Sequence, residues 1–292
     1  MELDSYFRGL LKNIEPSSTA VSHAQNAHTN LRKNIQNDEE LKDANPDTFL
    51  TGSYARQTAI KDIKDVDVIL LRDIDISITP PERVLAWIHQ ILQKYYKEIR
   101  VQGRSIGIVT QSGFELDVVP ATPVISVEGP LWIPDREVHS WVKTNPKGQI
   151  NYGIERNKIT NGKYKHYVKI LKHWKDRISS ESARPSSYII ESLVAHNLSN
   201  SSTNYGRGVV QIFNTTYDFL KQYKDSGTVP KIPDPGYPEV NVAKRWKYNE
   251  FSLFVDTLET SLSISKKALA EPDIRKSISL WRQLFGDEFE EI

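Results

Sequence analysis

Thr51-Gly52-Ser53-Tyr54-Ala55-Arg56-Gln57-Thr58-Ala59-Ile60 runs directly into Lys61-Asp62-Ile63-Lys64-Asp65-Val66-Asp67-Val68-Ile69-Leu70-Leu71, and the rest of the chain takes its meaning from this junction. The second half predicts a buried strand, because Val66, Val68, Ile69, Leu70 and Leu71 are β-branched or aliphatic. Asp65 and Asp67 stand two apart on it, which turns both carboxylates to one face. Paired carboxylates repel unless a cation lies between them. A divalent ion answers that need, and hard oxygen ligands suit Mg²⁺. The first half, Gly52-Ser53, predicts a small-residue turn into a short polar helix. Free backbone N–H groups at such a turn can hold a phosphate. A phosphate cradle beside a two-carboxylate metal site points to metal-dependent chemistry on a nucleoside triphosphate.

Upstream, Leu3, Phe7, Leu10, Leu11 and Ile14 predict a short amphipathic helix over 2–14, ended by Glu15-Pro16. A long polar helix follows over 18–37, then a turn at Asn45-Pro46-Asp47 and a short strand at 48–50. Downstream, Thr79-Pro80-Pro81 predicts a capped helix start, with the helix running to Ile99. Two strands, 100–111 and 113–119, are expected to meet at Ser112-Gly113. On the second, Leu116 and Val118 face one way and Glu115 and Asp117 the other. If this strand lies beside the Asp65 strand, either carboxylate can complete a triad.

Residues 129–158, rich in Gly, Pro, Trp and Asn, predict irregular structure bridging two lobes. From 160 onward the pattern is helical. Residues 164–178 form a cationic helix with Lys165, Lys169, Lys172, Lys175 and Arg177, most of them expected to be solvated. Arg184-Pro185-Ser186-Ser187-Tyr188 opens the next helix, where a serine can serve as cap. A helix over 205–225, a proline-rich rigid loop at 229–238, helices over 241–268 and 271–285, and a frayed acidic tail from Asp287 to Glu291 complete the expectation. The seven histidines are scattered, and His166 and His173 are expected at the surface rather than as ligands.

The chain has 292 residues, of which 38% are hydrophobic and 10% aromatic, enough for one large domain or two intimately packed lobes. A net charge of +1 argues against a main task of holding long DNA or RNA. Cysteine is absent, which excludes disulfides, thiolate metal sites and a cysteine nucleophile. The first residues lack a basic segment followed by an apolar run, so no signal peptide is expected. No stretch approaches the ~20 apolar residues of a membrane span. A cytoplasmic protein is the expectation.

Gly52-Ser53 followed by Asp65-x-Asp67 resembles the signature of DNA polymerase β-type nucleotidyltransferases. The fuller string Gly-Ser-Tyr-x-Arg-x-Thr-Ala-Ile, ending in Asp-Val-Asp-Val, resembles the CD-NTases, the DncV-like bacterial relatives of cyclic GMP-AMP synthase, with a clade E-type dinucleotide synthase as the expected branch. The likeness extends over about residues 48–246. It implies an α+β fold: a polymerase β-like core with a mixed twisted sheet and flanking helices over 1–150, including an N-terminal spine helix. A helical lobe over 151–292 would complete a nucleotide-binding cleft. It selects Asp117 as the third carboxylate beside Asp65 and Asp67, with Mg²⁺ as cofactor and Mn²⁺ as a substitute. It assigns Gly52, Ser53 and Arg56 to the triphosphate, together with Lys172, then Lys169, and Ser187. Tyr188 would stack on the donor base. Asn145-Pro146-Lys147 resembles a His-Pro-Lys element of the family, with asparagine in place of histidine.

The implied reaction joins two, or three, nucleoside triphosphates into a cyclic oligonucleotide with release of pyrophosphate. The substrates would be ATP with UTP, GTP or a second ATP. The product would serve antiphage (CBASS) signalling and be read by an effector protein, with the enzyme a monomer. A length under 300 residues leans towards a dinucleotide; a trinucleotide stays open. Two alternatives also stay open: a template-independent transferase that extends RNA, and a catalytically silent nucleotide sensor.

Overall fold

The computed structural model describes residues 2–42, 47–61, 63, 65–200 and 204–292. The turn expected at Asn45-Pro46 lies outside them. The chain divides into two compact units, one of residues Pro16–Asn151 and the other of Met1–Glu15 with Tyr152–Ile292.

The first unit is built on one mixed sheet. Its strands are β1 (Asp47–Thr51), β2 (Asp65–Leu71), β3 (Glu98–Val101), β4 (Ile106–Val109), β5 (Glu115–Pro123), β6 (Leu131–Asp135) and β7 (Ser140–Thr144). The order is β1-β2-β5-β4-β3, with β6 on the far end of β5 and β7 on β6. Among the described residues only the β2–β5 pair is parallel. The helices of this unit are α1 to α5 in the order α1 (Ser18–Asn37), α2 (Glu39–Lys42), α3 (Gly52–Ala55), α4 (Pro81–Leu92) and α5 (Pro146–Ile159), the last running on into the second unit.

Alternation along the strands makes the two faces of the sheet different. Val66, Val68, Leu70, Leu116 and Val118 are buried against Ala24, Ala27, Leu31 and Ile35 of α1 and Val84, Leu85, Ile88 and Leu92 of α4. The opposite face carries Ile69, Leu71, Val119, Ala121, Leu131 and Ile133 in a smaller cluster. The acidic positions of β2 belong to that second face, towards the strand's N-terminal end.

Three local expectations are corrected here. The helix after Pro80 ends at Leu92 rather than Ile99. Beyond it, Lys94 Nζ and Tyr95 OH reach Asp38 at 3.2 and 2.9 Å, and these tertiary bonds outcompete another helical turn. Asp38 in turn accepts from the Glu40 amide at the start of α2. Burial alone would raise the Asp38 carboxyl, but the bonds from Tyr95, Lys94 and Glu40 prevail and hold it below its ordinary value. The strand expected over 100–111 is instead a hairpin of β3 and β4, folded back where Gln102 N–H donates to the Ser105 carbonyl at 2.9 Å. Residues 129–158, expected to be irregular, instead form the β6–β7 hairpin and helix α5; Pro134 falls where β6 has a neighbour only on the β7 side, an edge position of the kind that tolerates proline.

The second unit is helical. It contains the first helix of the chain, αN (Asp4–Ile14), then α6 (Lys163–Asp176), α7 (Ser187–Asn197), α8 (Tyr205–Asp225), α9 (Tyr248–Ala270) and α10 (Ile274–Phe285), with a small hairpin of β8 (Pro233–Asp234) and β9 (Tyr237–Asn241). The proline-rich segment is therefore a hairpin. Helix α9 starts at Tyr248 rather than 241 because Asn241 Oδ1 accepts from the Ile232 and Ala243 amides, both at 3.0 Å, and closes a turn there. The N-terminal helix groups with this unit rather than with the sheet. Phe7 sits fully buried among Tyr205, Trp281, Phe285 and Phe289, with ring centroids 5.0–6.0 Å away.

The acidic tail is not frayed. Phe289 is fully buried, and Asn13 Nδ2 donates to the Glu288 carbonyl at 3.1 Å. A Cβ at Gly9 would stand 1.9 Å from the Glu290 carbonyl oxygen, so the tail crosses the helix where no side chain intervenes. Phe289→Ala is expected to cost about 3–5 kcal/mol in urea unfolding. Truncating the exposed Ile292 to alanine should leave the midpoint unchanged.

Candidate active site

The turn from β1 into α3 is fixed by a close approach. Gly52 has φ +70°, and a Cβ there would stand 1.7 Å from Asp67 Oδ2. Both its backbone conformation and its lack of a side chain are therefore required. Helix α3 is a single turn; Arg56 N–H donates to the Gly52 carbonyl at 3.2 Å and Thr58 N–H to the Ser53 carbonyl at 2.9 Å. Ser53 is half-buried. Arg56 is 8% exposed.

Strands β2 and β5 pair with Asp67 directly opposite Asp117 and Asp65 opposite Glu115. Registered residues project to the same face, so these positions gather on the face opposite the α1–α4 core. The side chain of Asp65 lies outside the described residues. Asp117 Oδ1 accepts from Gln102 Nε2 at 3.0 Å. Glu115, the other triad candidate that the residues left open, is engaged by Arg100 Nη2 at 2.5 Å. Two opposed aspartates, with a bare glycine backbone against one of them, make an all-oxygen donor set of the kind a hard divalent ion takes.

In the helical unit, the two serines at the start of α7 divide their work. Ser186 Oγ accepts from the Ile189 amide at 3.3 Å and caps the helix. Ser187 is exposed, and its Oγ accepts from Lys175 Nζ at 3.0 Å. The tyrosine beside it is anchored: Tyr188 OH donates to Asp234 Oδ1 at 2.8 Å, and that same oxygen accepts the Gly236 and Tyr237 amides of the β8–β9 turn.

The lysines of α6 are not a solvated row. Lys172 Nζ lies 3.4 Å from Glu191 Oε2, with both side chains 4% exposed. Lys169 Nζ is 2.6 Å from Glu15 Oε1. Lys175, which sequence reasoning noted only as one of the row, is the lysine brought to Ser187. The available signal was its position three residues after Lys172, on the same side of the helix.

His166 and His173 are half-buried rather than fully at the surface, which corrects that part of the expectation. His166 Nδ1 is 2.7 Å from Tyr205 OH, and His173 Nε2 is 2.9 Å from the Phe285 carbonyl. Asn145 Oδ1 accepts from the Gly148 amide at 2.9 Å, and so caps α5. Lys147 Nζ pairs with Glu128 at 2.5 Å and lies 5.1 Å from the centre of the Phe49 ring. Asn157 Oδ1 accepts from the Lys165 amide at 3.2 Å and closes a turn.

A mixed sheet that sets two aspartates side by side next to a Gly-Ser turn, followed by a helical domain, defines a nucleotidyltransferase of the polymerase β class. Residues 1–157 match the model of the Second Messenger Oligonucleotide or Dinucleotide Synthetase domain, and residues 151–263 that of the cGAS/DncV-like nucleotidyltransferase C-terminal helical domain. The chain belongs to this family, the CD-NTases, and is a cyclic oligonucleotide synthase. That sets aside the RNA-extending and silent-sensor alternatives.

The chain is 33% identical to a cyclic AMP-AMP-AMP synthase of Acinetobacter, over 99% of this chain and 86% of that one. It is 30% identical to a probable cyclic AMP-AMP-GMP nucleotide synthase of Salmonella paratyphi B, over 99% and 92%. In fold it resembles E. coli MS115-1 CdnC solved with ATP, with a TM-score of 0.80, 15% identity and 99% of each chain covered. Among the described residues no helix is long and apolar enough to cross a membrane.

Two outcomes follow from this geometry. Gly52→Ala should abolish product formation in a thin-layer assay, because the new methyl would displace the Asp67 carboxylate. Burial lowers the pKa of both His166 and His173, helped at His166 by Lys169. Unfolded histidines titrate near about pH 6.5, so the unfolded chain binds protons before the folded one does. The stability tied to these neutral rings is complete above that pH and falls as pH drops towards the folded values. Thermal melts from about pH 8 down to about pH 5 should show this fall, and a His166→Asn/His173→Asn double variant should show a shallower one.

Proposed function

We propose that this synthase condenses three nucleoside triphosphates, ATP foremost, into a cyclic trinucleotide with release of pyrophosphate, as a cytoplasmic monomer whose product a separate effector reads. The placement of Asp67 opposite Asp117, against the bare backbone of Gly52, carries the catalytic part of this reading. The number of units is supported by relatives: two proteins at 30–33% identity that span nearly the whole chain bear cyclic trinucleotide names. They weigh against the dinucleotide to which the compact length leaned.

Asp67, Asp117 and Asp65 are the residues proposed to hold Mg²⁺, or Mn²⁺ in its place. Bound there, the ion would lower the pKa of the acceptor ribose hydroxyl and offset triphosphate charge. Gly52 and Ser53 present backbone N–H and hydroxyl groups to the phosphates. Ser187 with Lys175 forms a second phosphate contact, where an ammonium already shares its hydrogen bond with the hydroxyl. Lys172, paired with Glu191 at 3.4 Å within the helix pair, is the proposed further phosphate contact. Tyr188, its hydroxyl fixed by Asp234, offers its ring to the donor base, a stack worth on the order of 1–3 kcal/mol.

Product analysis with labelled ATP, GTP, CTP and UTP in Mg²⁺ tests the proposal. Phosphatase-resistant label with the mass of a cyclic trinucleotide, formed from ATP alone or from ATP with GTP, is expected. Asp67→Asn and Asp117→Asn should each fall below about 1% of wild-type turnover, since even losing an outer-shell partner of a metal ligand costs ~10–100-fold. A cyclic dinucleotide would overturn the count of three. A linear, phosphatase-sensitive product would overturn the cyclisation.

A further inference from the structure

The β3–β4 hairpin brings to β5 two side chains that treat neighbouring carboxylates in opposite ways. Arg100 closes on Glu115 with its guanidinium at 2.5 Å. Gln102 meets Asp117 with an uncharged amide, Nε2 to Oδ1 at 3.0 Å. Neither residue carries a signal of function in the sequence.

The amide is held in one orientation. Ser105, itself buried, donates from Oγ to Gln102 Oε1 at 2.8 Å, and its carbonyl accepts the Gln102 N–H at 2.9 Å. With the amide oxygen so engaged, the amide NH₂ is the end that faces Asp117. The strand position between them is also shaped for it. Gly107 is the register partner of Asp117 on β4, and a Cβ there would stand 2.6 Å from Gln102 Nε2 and 2.9 Å from Arg100 Nε. A glycine is needed at 107 for the amide to lie across the strand.

We propose that Gln102 is a positioning residue for Asp117: its amide, locked by Ser105, holds the carboxylate in the orientation in which it would take a divalent cation. The inference rests on the reading of Asp117 as a metal ligand. The hairpin thereby gives the two acidic residues of β5 different partners, a guanidinium for Glu115 and an oriented amide for Asp117. An outer-shell donor of this kind acts on ligand orientation and basicity rather than on substrate.

The test measures Mn²⁺ binding by electron paramagnetic resonance, with a non-hydrolysable ATP analogue present, and the Mg²⁺ dependence of turnover. It uses the full chain and the variants Gln102→Leu, Gly107→Ala and Asp117→Asn. Gln102→Leu is expected to weaken Mn²⁺ binding about 10-fold or more, to raise the Mg²⁺ needed for half-maximal rate by a similar factor, and to leave the KM for ATP at saturating Mg²⁺ near that of wild type. Gly107→Ala, which displaces the amide without removing it, should shift the same two readings in the same direction. The double variant should be no worse than the more severe single one, because both act on one contact. Thermal melts without metal identify any variant that fails to fold, and Gly107→Ala keeps the test open if Gln102→Leu is that variant. Mn²⁺ binding and Mg²⁺ dependence within twofold of wild type in Gln102→Leu, alongside lost Mn²⁺ binding in Asp117→Asn, would overturn the role of Gln102. Unchanged binding and turnover in Asp117→Asn would instead overturn the metal-ligand reading beneath it.

Discussion

Asp67 and Asp117 stand opposite one another on adjacent parallel strands, and their like charges oppose the pairing that places them there. Neighbouring strands are ~4.8 Å apart. At an effective dielectric near about 20, two unit charges at such spacing repel by several kcal/mol. What outweighs this lies on the other face of the same strands. Val66, Val68, Leu70, Leu116 and Val118 are all fully buried there. Each contributes about 1.5–3 kcal/mol on burial, so the core under the site exceeds the repulsion by a wide margin. The proposed catalytic geometry and the hydrophobic packing are thus two faces of one pair of strands.

The helical unit holds its candidate groups by a different means. Its side chains are set by polar contacts between elements rather than by sheet register. Glu191 holds Lys172, Glu15 holds Lys169, and Ser187 shares a hydrogen bond with Lys175. Lys172 and Glu191 are buried together, where removing one partner leaves the other charge uncompensated. Asp234 joins Tyr188 to the β8–β9 turn with a single carboxylate oxygen that accepts three donors. The proline-rich segment, which had only a bracing role in the sequence reading, is what sets the tyrosine hydroxyl.

How much of this could be read from the sequence depended on whether the signal was local. The β2 strand was legible because five apolar residues surround a two-residue acidic repeat, and β5 because Glu115, Leu116, Asp117 and Val118 alternate. The parallel pairing that puts Asp67 opposite Asp117 was not, because register between strands some 50 residues apart leaves no mark in either one. The β6–β7 hairpin was hidden by Trp and Pro, whose tolerance depends on which edge has a neighbour. The grouping of the first helix with the far end of the chain rests on Phe7 meeting Phe289, a contact no periodicity encodes. Lys175 and Gln102 were missed for a shared reason: each matters through one partner brought in by tertiary structure.

The adjacent serines at the start of α7 have a consequence for how this chain can drift over generations. Ser186 serves the backbone, and any short side chain with a suitable oxygen serves it nearly as well, so Thr, Asp and Asn are open to it. Ser187 is exposed and answers to Lys175, and an aspartate there would capture the ammonium outright. Two identical letters side by side are therefore subject to different selection. With Ser187 in its proposed phosphate role, one position is free to wander among helix caps while its neighbour is confined to a neutral hydroxyl, and a collection of natural variants would show the boundary between folding and chemistry falling between two consecutive codons.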